Sequence, residues 1–221
     1  MLASLPRAEY RELLASFEPL TLRFGEVLHE QGAPVPHVYF PVDCVISLRS
    51  TVEDDQALEV GLVGHEGMVG ISLVLGAGAS CVRALVQAGG TALRMKAARF
   101  HVAFRQCPPL QRVLYRYAHV ELARSRQSVA CNCFHASEAR LARWLLTMGD
   151  RTGSARFFLT QASLAGLLGV RRATINEAAG SFQQRGLISF CRGNIRILDR
   201  ENLEAAACVC YARDRRLLDP R

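Results

Sequence analysis

From residue 110 to residue 136 the chain contains neither glycine nor proline, and this run limits the fold more than any other feature. A continuous helix over it would be about 40 Å long at 1.5 Å per residue, far longer than the average helix of a globular protein. Leu110, Leu114, Ala118, Leu122, Ser125, Val129 and Cys133 recur at spacings of four with a single spacing of three. The stripe is taken as an approximate a/d seam of a helix that pairs with another helix. The run is read as a dimerisation helix. The competing reading is an amphipathic helix lying on its own domain, since the heptads are few and Ser125 interrupts them.

The chain on the N-terminal side of this run has a different period. A short first helix is expected, with Ser4 as its cap, Pro6 in its first turn and Tyr10, Leu13, Leu14 and Phe17 at helical spacing. Short β-rich runs then recur at 20–24, 37–42, 45–48, 58–63, 68–75, 82–87 and 91–95, separated by glycine or acidic turns. Many short strands with frequent turn signals point to an antiparallel double-sheet roll of about 80 residues. A further short helix is expected over 97–105, ending at Cys107-Pro108-Pro109.

The charge is divided unevenly. The whole chain carries +7, but residues 1–136 hold 13 basic and 12 acidic side chains, and residues 137–221 hold 14 and 8. The C-terminal part therefore carries +6, which suits a polyanionic partner. Half the residues are apolar, enough for a packed core and too many for a disordered chain. The apolar runs are far shorter than the roughly 20 residues that span a bilayer. The N-terminus shows no secretory pattern, so a cytoplasmic protein with no membrane partner is expected. Its eight cysteines are then expected to be reduced.

The stretch from Phe158 to Ile188 carries the functional signal. Thr160 can cap a helix with inward Leu164, Leu167 and Leu168, and Gly169 permits a sharp turn above Val170. A second helix opens at Arg171-Arg172-Ala173-Thr174 with inward Ile175, Ala178, Ala179 and Phe182. Two short helices joined by a glycine turn form a helix-turn-helix. Strand-like 187–191, an Arg192-Gly193-Asn194 turn and strand-like 195–198 add a hairpin, and the two together make a winged helix. A preceding helix is expected from Ser137, acting as N-cap, to near Gly149. The N-terminal end of a recognition helix reaches base edges in the major groove, and arginine pairs with guanine bidentately. Thr160, Arg171, Arg172, Thr174 and Asn176 are the DNA-binding candidates there, and Arg192, Asn194 and Arg196 on the wing are placed to meet phosphates.

This order of parts resembles the Crp/Fnr family of bacterial transcription regulators, which are related to the cyclic-AMP receptor protein and the fumarate and nitrate reduction regulator. The resemblance covers almost the whole chain. It rests on Leu28-x-x-Gln31-Gly32 and Val38-Tyr39-Phe40, on the segment from Gly61 to Gly70, on Ala139-Arg140-Leu141-Ala142, and above all on Leu167-Leu168-Gly169-Val170-Arg171-Arg172-Ala173-Thr174. It implies an α+β chain with a cyclic-nucleotide-binding-like jelly roll at 1–106, a dimerisation helix at 107–136 and a winged helix-turn-helix at 137–221. It also implies a homodimer on a palindromic DNA site and a contact with RNA polymerase.

Two departures qualify that resemblance. Family members that bind cyclic nucleotides hold the ribose and phosphate with a Gly-Glu pair and a later Arg-Ser or Arg-Ala pair. Here Gly70 is followed by Ile71, and Ser80-Cys81 stands where the arginine pair belongs, with Arg83 two residues on. A phosphate needs arginine or an array of backbone donors, so Gly70, Ile71, Ser80, Cys81 and Arg83 are pocket candidates without cyclic AMP being expected. In the recognition helix, Ala173 replaces the Glu of the family's Arg-Glu-Thr and Glu177 replaces an Arg, so a different operator is expected.

The family's oxygen sensors hold an iron-sulfur cluster with cysteines near the N-terminus, whereas the first cysteine here is Cys44. That cluster is not expected. Cys131-Asn132-Cys133 with His135, and Cys208-Val209-Cys210, sit in expected helices, where residues two apart point about 200° away from each other. No metal site is therefore expected, and the cysteines are read as small core residues. No His-x-His pair or nucleophile signature supports an enzyme, and Asp54-Asp55 reads as a solvated turn. The rival readings are a ligand-sensing roll whose C-terminal domain contacts protein, and a cupin-like metalloenzyme.

Overall fold

The computed structural model describes residues 1–53 and 56–218; the Asp54-Asp55 pair lies outside the described residues. Contacts divide the chain into two compact units, Met1–Ser50 with Gly61–Ala123, and Thr51–Val60 with Arg124–Arg221. No described helix is long and apolar enough to cross a membrane.

The first unit contains the roll. Its strands are β1 (Glu18–Leu22), β2 (Val27–His29), β3 (His37–Pro41), β4 (Val45–Glu53), β5 (Gln56–Val63), β6 (Arg83–Ala88) and β7 (Gly90–Lys96). Residues 51–53 of β4 and 56–60 of β5 group with the second unit. One sheet has the order β1-β7-β3 and the other β2-β6-β4-β5. Pairing is antiparallel, with Tyr39 opposite Arg94 and Val38 opposite Met95.

Alternation along the strands gives the β1-β7-β3 sheet two buried faces, because successive side chains leave a strand on opposite sides. Tyr39 and Ala92 join Leu22, Cys44, Ile46, Val63, Val69, Ala84 and Val86 inside the roll. Val38, Phe40 and Met95 face the other way and pack with Phe100, Leu110, Leu114 and Tyr117 of the helices. Burial pushes the Cys44 thiol up to about 11, so this cysteine is an inert core residue.

Two local expectations are corrected, and one strand was not expected. Ser4 does not cap a helix: its hydroxyl donates to Met1 O at 2.8 Å, and α1 (Arg7–Leu14) begins after Pro6. Residues 68–75 are not a strand; Val69 makes an isolated bridge to Tyr39, and Ile71–Leu73 form a single 3-10 turn. Their apolar run fits buried helix as well as strand, and such runs cannot be separated by periodicity alone. The short strand β2 has only three residues and left no alternation to read.

After α2 (Ala97–Gln106), the long helix α3 spans Pro108–Phe134. Helix α4 (Ser137–Thr152) starts with Ala136 in the N-cap position and no side-chain cap, so Ser137 does not play the expected role. Gly149 is interior to it, and the helix ends at Gly153 in the left-handed region, φ 62°. The second unit continues with β8 (Arg156–Phe158), α5 (Gln161–Leu168), α6 (Arg172–Gln184), β9 (Ile188–Cys191), β10 (Asn194–Ile197), α7 (Arg200–Ala206) and α8 (Cys210–Leu218).

Candidate nucleic-acid interface

Helix α5 is held at both ends by its own sequence. Thr160 accepts the Ser163 N–H on Oγ1 at 3.1 Å, a side-chain cap of the kind that satisfies an otherwise open first-turn donor. Gly169 takes φ 62° and closes the C-terminus, a conformation that costs a residue with a Cβ about 1 kcal/mol or more. Beyond it the Val170 N–H bonds to Ala165 O at 3.0 Å. The last carbonyl of α5, Leu168 O, also accepts from the buried guanidinium of Arg140.

The inward residues of the two helices are those the periodicity selects. Leu164, Leu167 and Leu168 on α5, and Ile175, Ala178, Ala179 and Phe182 on α6, are all buried. Burying that stripe leaves Arg171, Arg172 and Asn176 exposed and Thr174 half-buried at the start of α6. The Gln161 side-chain amide donates to Asn176 Oδ1 at 3.1 Å, linking α5 to α6.

The wing is a three-stranded sheet of order β8-β10-β9. Its turn is shorter than the expected Arg192-Gly193-Asn194: only Arg192 (φ 48°) and Gly193 (φ 85°) are central, and Asn194 pairs with Cys191 as the first residue of β10. Two successive positive φ values make the primed turn whose twist matches a hairpin. Ile195 and Ile197 are buried while Asn194 and Arg196 are exposed.

Strand β8 was not expected from the sequence. It sets Arg156 directly opposite Arg196, both exposed. Like charges directly opposite destabilise a sheet, so this pair is a cost unless an anion meets it. The signal that could have found β8 is the aromatic run Arg156-Phe157-Phe158, bounded by Gly153-Ser154 and Thr160. Among the described residues, Arg156, Arg171, Arg172, Arg192 and Arg196 have no carboxylate partner, whereas Arg143, Arg185 and Arg200 do.

The stripe of α3 divides. Leu110 and Leu114 are buried in the chain's own core, which corrects their expected role as dimer contacts. Ala118 is half-buried. Leu122 is 49% exposed and Val129 67% exposed, and Tyr115, seven residues before Leu122, is 53% exposed. Heptad spacing alone cannot say which partner an apolar residue meets, and the N-terminal part of α3 meets its own roll.

The pocket candidates offer little to an anion. Arg83 is paired through Nε with Glu30 at 3.0 Å. Ser80 is buried and its hydroxyl donates to Val82 O at 2.7 Å. Cys81 is exposed, Gly70 has φ 97°, and Ile71 begins the 3-10 turn.

Cys131 and Cys133 point apart as expected, one buried and the other exposed, but the same expectation for Cys208 and Cys210 is corrected, and with it the expectation of no metal-like group. Cys131, His135, Cys208 and Cys210 converge, with all four ligating atoms within 4.8 Å of one another. Cys131 and His135 are one helical turn apart and share a face, and the α7–α8 helices are broken at Ala207, φ −75° and ψ 152°. Sharing one proton between two buried sulfurs holds the Cys131 thiol up and draws the Cys208 thiol down. Cys133 is exposed and stands outside the group.

Residues 139–206 match the family model of the Crp-like helix-turn-helix domain. Over 204 residues, 88% of this chain and 90% of the relative, the sequence is 24% identical to a CRP-like cAMP-activated global transcriptional regulator of Mycobacterium tuberculosis. Among solved structures, FixK2 from Bradyrhizobium japonicum has a TM-score of 0.73 at 16% identity, covering 87% of this chain and 98% of that one. A CRP/FNR-family transcriptional regulator from Thermus thermophilus has a TM-score of 0.71 at 21% identity, covering 86% and 98%. The capped α5, the glycine turn and the arginine-led α6 fall inside the segment that matches the Crp-like helix-turn-helix domain, and the chain shares the fold of the solved Crp/Fnr-family structure.

Proposed function

We propose that this chain is a transcription regulator of the Crp/Fnr family, acting as a cytoplasmic homodimer that reads a palindromic double-stranded DNA site. Arg171, Arg172, Thr174 and Asn176 on α6 reach base edges, and Arg192, Asn194 and Arg196, joined by Arg156, meet the phosphate backbone. Thr160 serves this surface by fixing the N-terminus of α5, where backbone N–H groups favour a phosphate. RNA polymerase is the expected protein partner on DNA. The observation that carries the reading is the set of exposed guanidiniums left without carboxylates, Arg156 and Arg196 facing each other among them.

The exposed C-terminal stretch of the α3 stripe, Leu122 and Val129, supports the homodimer. The mycobacterial relative is cAMP-activated by name, but this chain's roll is read as not taking cyclic AMP. Arg83, two residues beyond the position of the family's arginine pair, is already paired with Glu30.

Mobility shifts of genomic DNA fragments at two salt concentrations test the reading. Displacing counterions from phosphates makes binding fall steeply with salt; an absence of binding, or binding indifferent to salt, sinks it. On a selected site, Arg172→Ala should cost about 1–3 kcal/mol and relax base preference at one position. Arg196→Ala should weaken all sequences evenly and lower the salt slope by about one. Identical behaviour of the two variants across sequences contradicts the division between reading and positioning.

A further inference from the structure

We propose that Cys131, His135, Cys208 and Cys210 form a structural zinc site that fastens the C-terminal helix α8 to the end of α3. The proposal is independent of the DNA-binding reading.

The geometry is that of a mononuclear tetrahedral ion. Cys131 Sγ lies 3.6 Å from Cys208 Sγ, His135 Nδ1 lies 3.4 Å from Cys131 Sγ, and Cys210 Sγ lies 3.5 Å from His135 Nδ1. With zinc–sulfur bonds of about 2.3 Å and zinc–nitrogen bonds of about 2.0–2.1 Å, a tetrahedron sets sulfurs about 3.8 Å apart and sulfur and nitrogen about 3.5 Å apart. Three thiolates and one imidazole with no open position make a closed, structural set rather than a catalytic one.

The backbone explains the convergence. Cys131 lies in the last turn of α3 and His135 follows that helix directly. Cys208 lies in the break between α7 and α8, and Cys210 is the first residue of α8. The Cys208 N–H bonds to Ala139 O at 3.4 Å, so the break is also tied to α4.

The surroundings match the needs of bound thiolates. Cys131, Cys208 and Cys210 are buried, and the Gln127 side-chain amide donates to Cys210 Sγ at 3.1 Å. Outer donors of this kind orient metal ligands and lower their negative charge. Three thiolates and Zn²⁺ leave a net −1, and Arg143 on α4 acts electrostatically on both Cys131 and Cys208. A Cys131–Cys208 disulfide would use two of the four groups and leave the approach of His135 and Cys210 without a role.

The full-length chain, purified under reducing conditions without chelator, should carry about one zinc per chain by elemental mass spectrometry. Cys208→Ser and His135→Ala should lower that to below about a tenth, and Cys133→Ser should leave it unchanged. Because the first two variants risk misfolding, the wild-type chain stripped of metal provides a second measurement. Added Co²⁺ should give the visible bands of a tetrahedral site with thiolate charge transfer, and Zn²⁺ should erase them. Stripping should also lower the melting midpoint by on the order of 10 °C, since metal binding is folding free energy. A wild-type chain that holds no zinc and takes up neither ion overturns the proposal. So does stoichiometric iron or copper in place of zinc, or a Cys131–Cys208 disulfide as the form recovered from reduced cells.

Discussion

Replacing Leu122 and Val129 together with glutamate should convert the protein to a folded monomer and lower its affinity for a two-half-site DNA roughly 10²- to 10⁴-fold. The two side chains are 49% and 67% exposed on the single chain, so the change removes nothing from its own core. In the proposed dimer they would meet their counterparts along paired helices, where four buried carboxylates have no compensating charge. Losing the dimer turns one bivalent encounter into two separate ones, and the linked second site supplies the lost affinity. Sedimentation at micromolar concentration and binding to one and two half-sites measure both effects. A double variant that stays dimeric places the interface elsewhere. Leu114 gives the contrast: it is fully buried in the chain's own core, so Leu114→Ala should cost about 2–5 kcal/mol of stability and leave the dimer intact.

That contrast shows where the sequence was readable. The helix carrying the stripe is present as α3, but a period reports that a face is buried and not what buries it. Leu110 and Leu114 serve the roll while Leu122 and Val129 remain uncovered. The helix-turn-helix was legible down to single residues, because its capping Thr160, its Gly169 and both inward stripes are local signals within about 25 residues. Strand β8 was not legible. Three residues carry no periodicity, and its partner β10 lies about 40 positions away.

The cysteine group failed for a different reason. Ala207 breaks the C-terminal helices without a glycine or proline to announce it, so a continuous helix was the natural reading and set Cys208 and Cys210 on opposite sides. Their other partners are 77 and 75 positions away in sequence, beyond the reach of any spacing rule. The Arg83–Glu30 pair belongs to the same class: sequence shows that an arginine is present, and only the fold shows that it is occupied.

Phe182→Ala should remove about 3–5 kcal/mol of stability, a large part of the 5–15 kcal/mol typical of a whole domain. Phe182 is fully buried on α6, the helix that packs against α4, α5 and β9, so truncation opens a cavity beneath α6. The Leu187 N–H also bonds to Phe182 O at 2.8 Å at the start of the wing, and the guanidinium of Arg185 lies 5.9 Å from its ring centroid. For a domain of 60–100 residues a loss of that size lowers the melting midpoint by more than about 12 °C. Arg172→Ala should leave the midpoint almost unmoved, because its side chain is exposed and unpaired. At low temperature the Phe182 variant should keep the base preference of the parent, since no group that meets DNA has changed. A relaxed preference in the folded variant would mean that α6 is oriented by its core rather than held rigidly, and a stability loss below about 1 kcal/mol would show that Phe182 does not anchor α6.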